Sequence, residues 1–249
     1  MGVYMPEFKT KITHIVDYPA PEGNSSTRVF ECVLPEAVAF PYIPGQFAML
    51  AHPEVKLLAN PNLMRWASYS ISSSPEQKGI LEFCIGDGSP TGVSHKLMNM
   101  KVGDEFLARG PFGKFLLDEN QSEYIFLATG TGIAPLISMV RTLLAHGNKA
   151  PITLYFGFRF PVQYMYREEI EALQKKYPNF KAVITASRPD ENWKYQKGYV
   201  QDALKNHVTA DKSKARVYIC GKPEIAEALV QFCLKEMQFA EENVIIEKW

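Results

Sequence analysis

Clustered cysteines are missing from this chain. Its four, at positions 32, 84, 220 and 233, stand 52, 136 and 13 residues apart, so no C-x-x-C pair or grouped ligand set is offered to zinc or an iron-sulfur centre. The five histidines, at 14, 52, 95, 146 and 207, are equally scattered, none at the i, i+4 spacing of a helical metal site. They read as surface or capping residues, and no metal is expected. An excess of positive charge is missing too: Lys plus Arg number 27 and Asp plus Glu 27, which leaves no global field for phosphate-backbone binding and argues against nucleic acid as a partner. Through residue 120 there are 10 basic and 13 acidic side chains, net −3, and beyond it 17 and 14, net +3, so an anionic ligand is better received in the second half. Long apolar runs are absent. The first twenty residues lack the apolar segment of a secretory leader, and nothing approaches the ~18 residues of a membrane span. The expectation is a cytosolic protein without membrane insertion.

What is present is a chain of 249 residues, 46% hydrophobic and 22% charged, the composition of an ordinary packed fold of one large or two small domains. Up to about residue 117, short β-rich runs at Lys11 to Asp17, Arg28 to Leu34, Phe47 to Ala51, Ile80 to Ile85 and Glu105 to Arg109 are punctuated by Pro and Gly. This spacing predicts an antiparallel β-barrel, with a short helix around Ser94 to Met100 to cap one end. After Asp118-Glu119-Asn120 the pattern alternates between apolar strands and amphipathic helices: YIFLATG, IAPLISMVRTLLAHG, ITLYFGF, REEIEALQKKY, FKAVITAS, GYVQDALKNH, RVYICG, PEIAEALVQFCLKEM and NVIIE. That alternation predicts an open parallel sheet flanked by helices. The fold class is therefore β plus α/β, with domains at 1–117 and 118–249.

Three segments carry candidate chemistry. Phe126 to Pro135 is an apolar strand running through Gly130-Thr131-Gly132 into a helix start. Such a turn suits an anion, because glycines let backbone N–H groups and the positive helix end approach a pyrophosphate; a plain tight strand-to-helix turn is the alternative. Arg65-Trp66-Ala67-Ser68-Tyr69-Ser70-Ile71-Ser72-Ser73-Ser74-Pro75 reads, taken alone, as a polar edge strand with Ser-Pro turn chemistry. Gly92-Val93-Ser94 either forms a turn or presents N–H and hydroxyl donors to a phosphate at the start of a short helix.

The order of these motifs is informative. PGQF, x-Y-S-I-x-S, G-V-S-x-x-L, G-D with G-P-x-G, G-T-G-I-A-P, C-G-x-P and a terminal E-x-aromatic together resemble the ferredoxin-NADP reductase family of flavoproteins, over about Phe8 to Trp249. The resemblance implies an N-terminal FAD-binding barrel and a C-terminal domain binding NADPH or NADH. It places Tyr69 against the isoalloxazine and ribityl, Ser70 near flavin N5, Ser68 beside them, and Gly92, Val93 and Ser94 on the pyrophosphate. It also implies Thr131 and Gly132 at the nicotinamide dinucleotide, with Ser70, Cys220 and Glu247 as the catalytic set on the hydride path. Ser187-Arg188 and Lys197-x-Tyr199 match the pattern that holds a 2′-phosphate, which favours NADPH. Trp249 is the terminal ring expected to stack on the isoalloxazine.

One element departs from the family: Ala67 stands where an arginine pairs with the pyrophosphate. Arg65, on the same strand face, substitutes for it only if the pyrophosphate shifts or the strand bulges. The implied activity is hydride uptake from NAD(P)H and single-electron delivery to a separate carrier of ferredoxin or flavodoxin type, or to a partner subunit. The alternatives are a free-flavin reductase and an electron-transfer subunit of a larger complex.

Overall fold

The computed structural model describes residues 6–208 and 211–248. Packing divides the chain into two units, Met1–Leu117 with Ile137–Thr142, and Asp118–Leu136 with Leu143–Trp249.

The first unit holds β1 (Glu7–Tyr18), β2 (Thr27–Val33), β3 (Phe47–Leu57), β4 (Asn60–Ser70), β5 (Ile80–Gly86), α1 (Val93–Met98) and β6 (Glu105–Phe112). The strands form one antiparallel sheet in the order β4-β3-β6-β1-β2-β5. Its two edges meet through a bridge from Ile71 to Phe83 and a 2.8 Å hydrogen bond from the Ser72 N–H to the Glu82 carbonyl, so the sheet closes into the expected barrel. Period-two alternation explains the inside: Phe8, Thr10 and Ile12 of β1 are buried while Lys9 and Lys11 face solvent. Ile12, Phe30, Leu50, Leu81, Phe83 and Phe106 meet in one core together with Val93 and Leu97 of α1, which is why this short helix caps the barrel. Arg28 satisfies the end of that helix, its guanidinium donating to the carbonyls of Met98 (2.5 Å) and Met100 (3.0 Å).

The strand run expected to end at Ala51 continues to Leu57 and returns through Leu58-Ala59 as β4. Pro53 and Pro61 hide this hairpin in the sequence, since proline removes a ladder donor. The ladder is broken as those prolines suggest: Ala51 pairs with Trp66 and Lys56 with Met64, so His52 to Val55 bulge opposite the single residue Arg65.

The second unit contains β7 (Tyr124–Thr129), the start and end of α2 (Ile133–Ala145), β8 (Ile152–Phe158), α3 (Arg167–Lys176), β9 (Phe180–Ala186), β10 (Gln196–Lys197), α4 (Val200–His207), β11 (Arg216–Gly221), α5 (Pro223–Gln231) and β12 (Val244–Lys248). All six strands are parallel, in the order β10-β9-β8-β7-β11-β12. The apolar runs of β7 and β8 are buried nearly throughout, as a covered parallel sheet requires. Two details differ from the sequence reading. The two-residue β10 is too short to leave a periodic signal. The helix expected to reach Met237 turns π-helical over Phe232–Glu236, with Cys233 buried inside the turn. Among the described residues no helix is long and apolar enough to cross a membrane.

Candidate functional site

In the first unit the candidate residues lie on β4 and at the start of α1, which meet through Tyr69 and Ser94. Arg65, Ala67 and Tyr69 share one face of β4, and Ser68 and Ser70 the other. Ala67 and the Tyr69 ring pack against the barrel core, and the Tyr69 hydroxyl lies 2.8 Å from Ser94 Oγ. Burial pushes the Tyr69 phenol up to about 12, against the opposing pull of the Ser94 hydrogen bond and the Arg65 charge. Tyr69 is therefore a neutral, anchored ring at any ordinary pH.

Ser70 pairs with Phe47 in the ladder, and the barrel closure at Ile71 follows at once. Its half-buried hydroxyl has no hydrogen-bond partner among the described residues. Gly92 is the N-cap of α1. The Val93 side chain is 1% exposed in the core, which leaves only its backbone to a ligand. Lys96 ties α1 to the bulge through Glu54, 2.5 Å from Nζ to Oε2.

The serines after Ser70 are not the polar edge the sequence suggested. Ser72, Ser73 and Ser74 are 0%, 0% and 2% exposed and belong to a buried polar network. Ser72 Oγ donates to Glu82 Oε1 at 2.8 Å, and Arg141 Nη1 donates to the same oxygen and to the Ser72 carbonyl, each at 2.7 Å. Ser138 Oγ donates to the Ser73 carbonyl at 2.6 Å, and Tyr42 completes the set at 3.0 Å from Ser73 Oγ.

In the second unit, β7 runs through a single 3-10 turn, Gly130–Gly132, into α2. The two glycines serve different ends. Gly130 has φ +55 with open space around it, so its requirement is conformational. A Cβ on Gly132 would collide with the Cys220 carbonyl; its requirement is the close approach of this turn to the end of β11. Thr131 stands between them at the start of the helix. Cys220 is fully buried and pairs in register with Ala128 on one side and Glu247 on the other. Cys220 and Glu247 are thus neighbours at the C-terminal ends of β11 and β12, and burial raises the Glu247 carboxyl above the usual carboxylate range.

The loops leaving β8, β9 and β10 are laced together by backbone hydrogen bonds. The Ser187 N–H donates to Phe158 (3.0 Å), that of Arg188 to Arg159 (2.8 Å) and that of Gly198 to Ala186 (3.0 Å). This brings Arg159, Ser187, Arg188 and Lys197 to one edge of the sheet, with Tyr199 beside them as the N-cap of α4 and 61% exposed. Arg159 was not singled out in the sequence; its signal is a cation placed one residue past an apolar strand. Trp249 lies outside the described residues. Among those described, no three of His, Cys, Asp and Glu converge as a metal-ligand group.

Comparison with known proteins adds independent findings. Residues 21–116 match the oxidoreductase FAD-binding domain and residues 126–231 the oxidoreductase NAD-binding domain. One subunit of the Na(+)-translocating NADH-quinone reductase of Haemophilus influenzae is 28% identical over 197 residues, 72% of this chain and 47% of that protein. The reductase component of phenol 2-monooxygenase from a Pseudomonas species is 29% identical over 215 residues, 84% of this chain and 58% of that protein. The chain spans about half the length of these curated relatives. Among solved structures, ferredoxin-NADP+ reductase from Plasmodium falciparum with 2′P-AMP superposes with a TM-score of 0.76 at 26% identity, covering 98% of this chain and 96% of that one.

Proposed function

The chain belongs to the ferredoxin-NADP reductase-like flavoproteins and is an NAD(P)H-dependent oxidoreductase with FAD-binding and NAD-binding domains, and from that premise we propose that it takes a hydride preferentially from NADPH and hands electrons singly to a separate carrier. In this reading residues 1–117 form the FAD domain and 118–249 the nicotinamide domain. The residues present suit the flavin: Tyr69 offers an anchored neutral ring, and Ser70 an unengaged hydroxyl on a backbone fixed by barrel closure. Bound flavin supplies an acceptor for two electrons that releases them one at a time. Tyr69 and Ser68 pack and orient it, Ser70 donates toward the N5 position, and the Val93 backbone N–H and the Ser94 hydroxyl face the phosphates, on a turn shaped by Gly92, whose own N–H donates to the Ser89 carbonyl at 2.7 Å.

In the nicotinamide domain Thr131 and the N–H groups around Gly132 receive the dinucleotide phosphates. Cys220 shapes the nicotinamide end, and Glu247, its carboxyl held toward the neutral form by burial, orients donors or relays a proton there. The carrier is a ferredoxin- or flavodoxin-like protein or a partner subunit. Support for such an acceptor comes from the relatives, one a subunit of a quinone reductase and one the reductase component of a monooxygenase. A cytosolic location is part of the same proposal.

The observation that carries the reading is the anchored Tyr69–Ser94 pair, followed in sequence by the unengaged Ser70 hydroxyl, on a chain that matches both domain families. Purified protein is expected to be yellow, to retain FAD at micromolar concentration, and to lose its flavin absorbance on anaerobic addition of NADPH. Colourless protein that reduces added FMN and riboflavin as readily as FAD would replace this reading with free-flavin reduction.

The preference for NADPH rests on Arg188 and Lys197, brought to one edge with Ser187 and Tyr199 and suited to a phosphomonoester. No acidic residue occupies the Ser187-Arg188 strand end to take a ribose 2′-OH. Arg188→Ala is expected to lower kcat/KM for NADPH about 10- to 100-fold and to leave that for NADH within about twofold. An unchanged NADPH-to-NADH ratio removes the phosphate from this edge.

A further inference from the structure

FAD carries charge at one place, its diphosphate, and a negative group taken partly out of water needs a cation or a set of donors. The position from which the family supplies that cation holds Ala67, whose side chain packs on the barrel core and has nothing to donate. The basic side chains around the Tyr69–Ser94 pair are mostly engaged: Lys96 is bound to Glu54 and His95 lies 3.2 Å from Asp87. Arg65 is different. It is half-buried, on the same strand face as Tyr69, and has no hydrogen bond or carboxylate partner among the described residues. The β3 ladder opens opposite it, where four residues, His52 to Val55, face this one position. A strand pair normally gives each residue a cross-strand neighbour; here no β3 residue pairs with Arg65.

We infer that Arg65 holds the diphosphate of FAD, from a station two residues upstream of the family's arginine that the β3 bulge makes available. This rests on the FAD reading above and deepens it. At a strand rise of about 3.3 Å per residue, the cation starts roughly 7 Å farther from Ser70 than position 67 would place it. Arg65 therefore serves the phosphate portion of the cofactor and contributes nothing to holding the isoalloxazine. It is the residue through which the site distinguishes FAD from an uncharged flavin.

The test is flavin affinity of the purified protein after flavin removal, measured by fluorescence quenching for FAD and for riboflavin. Arg65→Ala is expected to weaken FAD about 10- to 100-fold while riboflavin stays within about twofold, and Arg65→Lys to recover part of the loss. Arg65→Gln, which keeps the stem, provides the same comparison if the alanine variant folds poorly. FAD affinity unchanged by the substitution, or FAD and riboflavin weakened alike, overturns the assignment. Wild-type protein that binds riboflavin as tightly as FAD instead refutes the FAD reading on which it stands.

Discussion

Glu82→Ala is expected to lower the stability of the protein by about 3–5 kcal/mol and its melting temperature by roughly 6–20 °C. The Glu82 and Arg141 side chains are 6% and 11% exposed and 2.7 Å apart. Solvent screening, which reduces surface pairs to a fraction of a kcal/mol, has little purchase here. Removing the carboxylate takes from the buried guanidinium the oxygen to which it donates at 2.7 Å. It also strips Ser72 Oγ of its acceptor. The loss thus combines a broken buried ion pair with a broken hydrogen-bond set. Replacing both partners, as Glu82→Leu with Arg141→Leu, is expected to cost far less than either alanine variant, because a buried pair draws most of its apparent worth from the penalty of separating it. Thermal and urea unfolding of the single and double variants measure this directly. A Glu82→Ala loss below about 1 kcal/mol would mean that water reaches the pair and screens it.

That network shows where sequence reading runs out. The parallel sheet was legible because Ile125 to Ala128 and Leu154 to Phe158 lie in apolar runs of strand length that alternate with helical segments, and the barrel because short β-rich runs such as Phe47 to Ala51 and Ile80 to Ile85 are punctuated by Pro and Gly. Ser72, Ser73 and Ser74 looked like surface because serines usually are, and their partners Glu82 and Arg141 lie 10 and 69 residues away. No local pattern announces such a pairing. The β3–β4 hairpin was obscured by Pro53 and Pro61, which argue against strand in isolation but are accommodated by a bulge and an edge position. At the candidate sites, motif order singled out Tyr69, Ser94, Cys220 and Glu247. Only the folded register makes Tyr69 and Ser94 hydrogen-bond partners and Cys220 and Glu247 neighbours. The two glycines of the β7–α2 turn looked alike in sequence; packing separates them, one by its backbone angle and the other by the Cys220 carbonyl against it.

Ser70→Ala is expected to slow reduction of the bound flavin by NADPH about 100-fold with little effect on anything else. Ser70 ends β4 with its backbone paired to Phe47, and Ile71 is locked to Phe83 in the next residue, so the hydroxyl is carried on one of the most constrained stretches of the barrel. No described group competes for it, and a donor held ready in this way loses nothing to reorganisation when charge develops in front of it. If Ser70 donates toward the flavin as proposed, its bond would strengthen as charge develops there, and its removal would raise the barrier without loosening the ground state. The expected signature is therefore a lower limiting rate in anaerobic stopped-flow reduction, with flavin content, NADPH affinity and melting temperature close to wild type. Ser70→Thr, which keeps the hydroxyl, should recover part of the rate. A drop smaller than about threefold, or a variant that is slow because it has shed its FAD, would take Ser70 out of the chemical step; the second outcome would make it a cofactor-binding residue and leave Glu247, with its carboxyl raised by burial, as the group to test next.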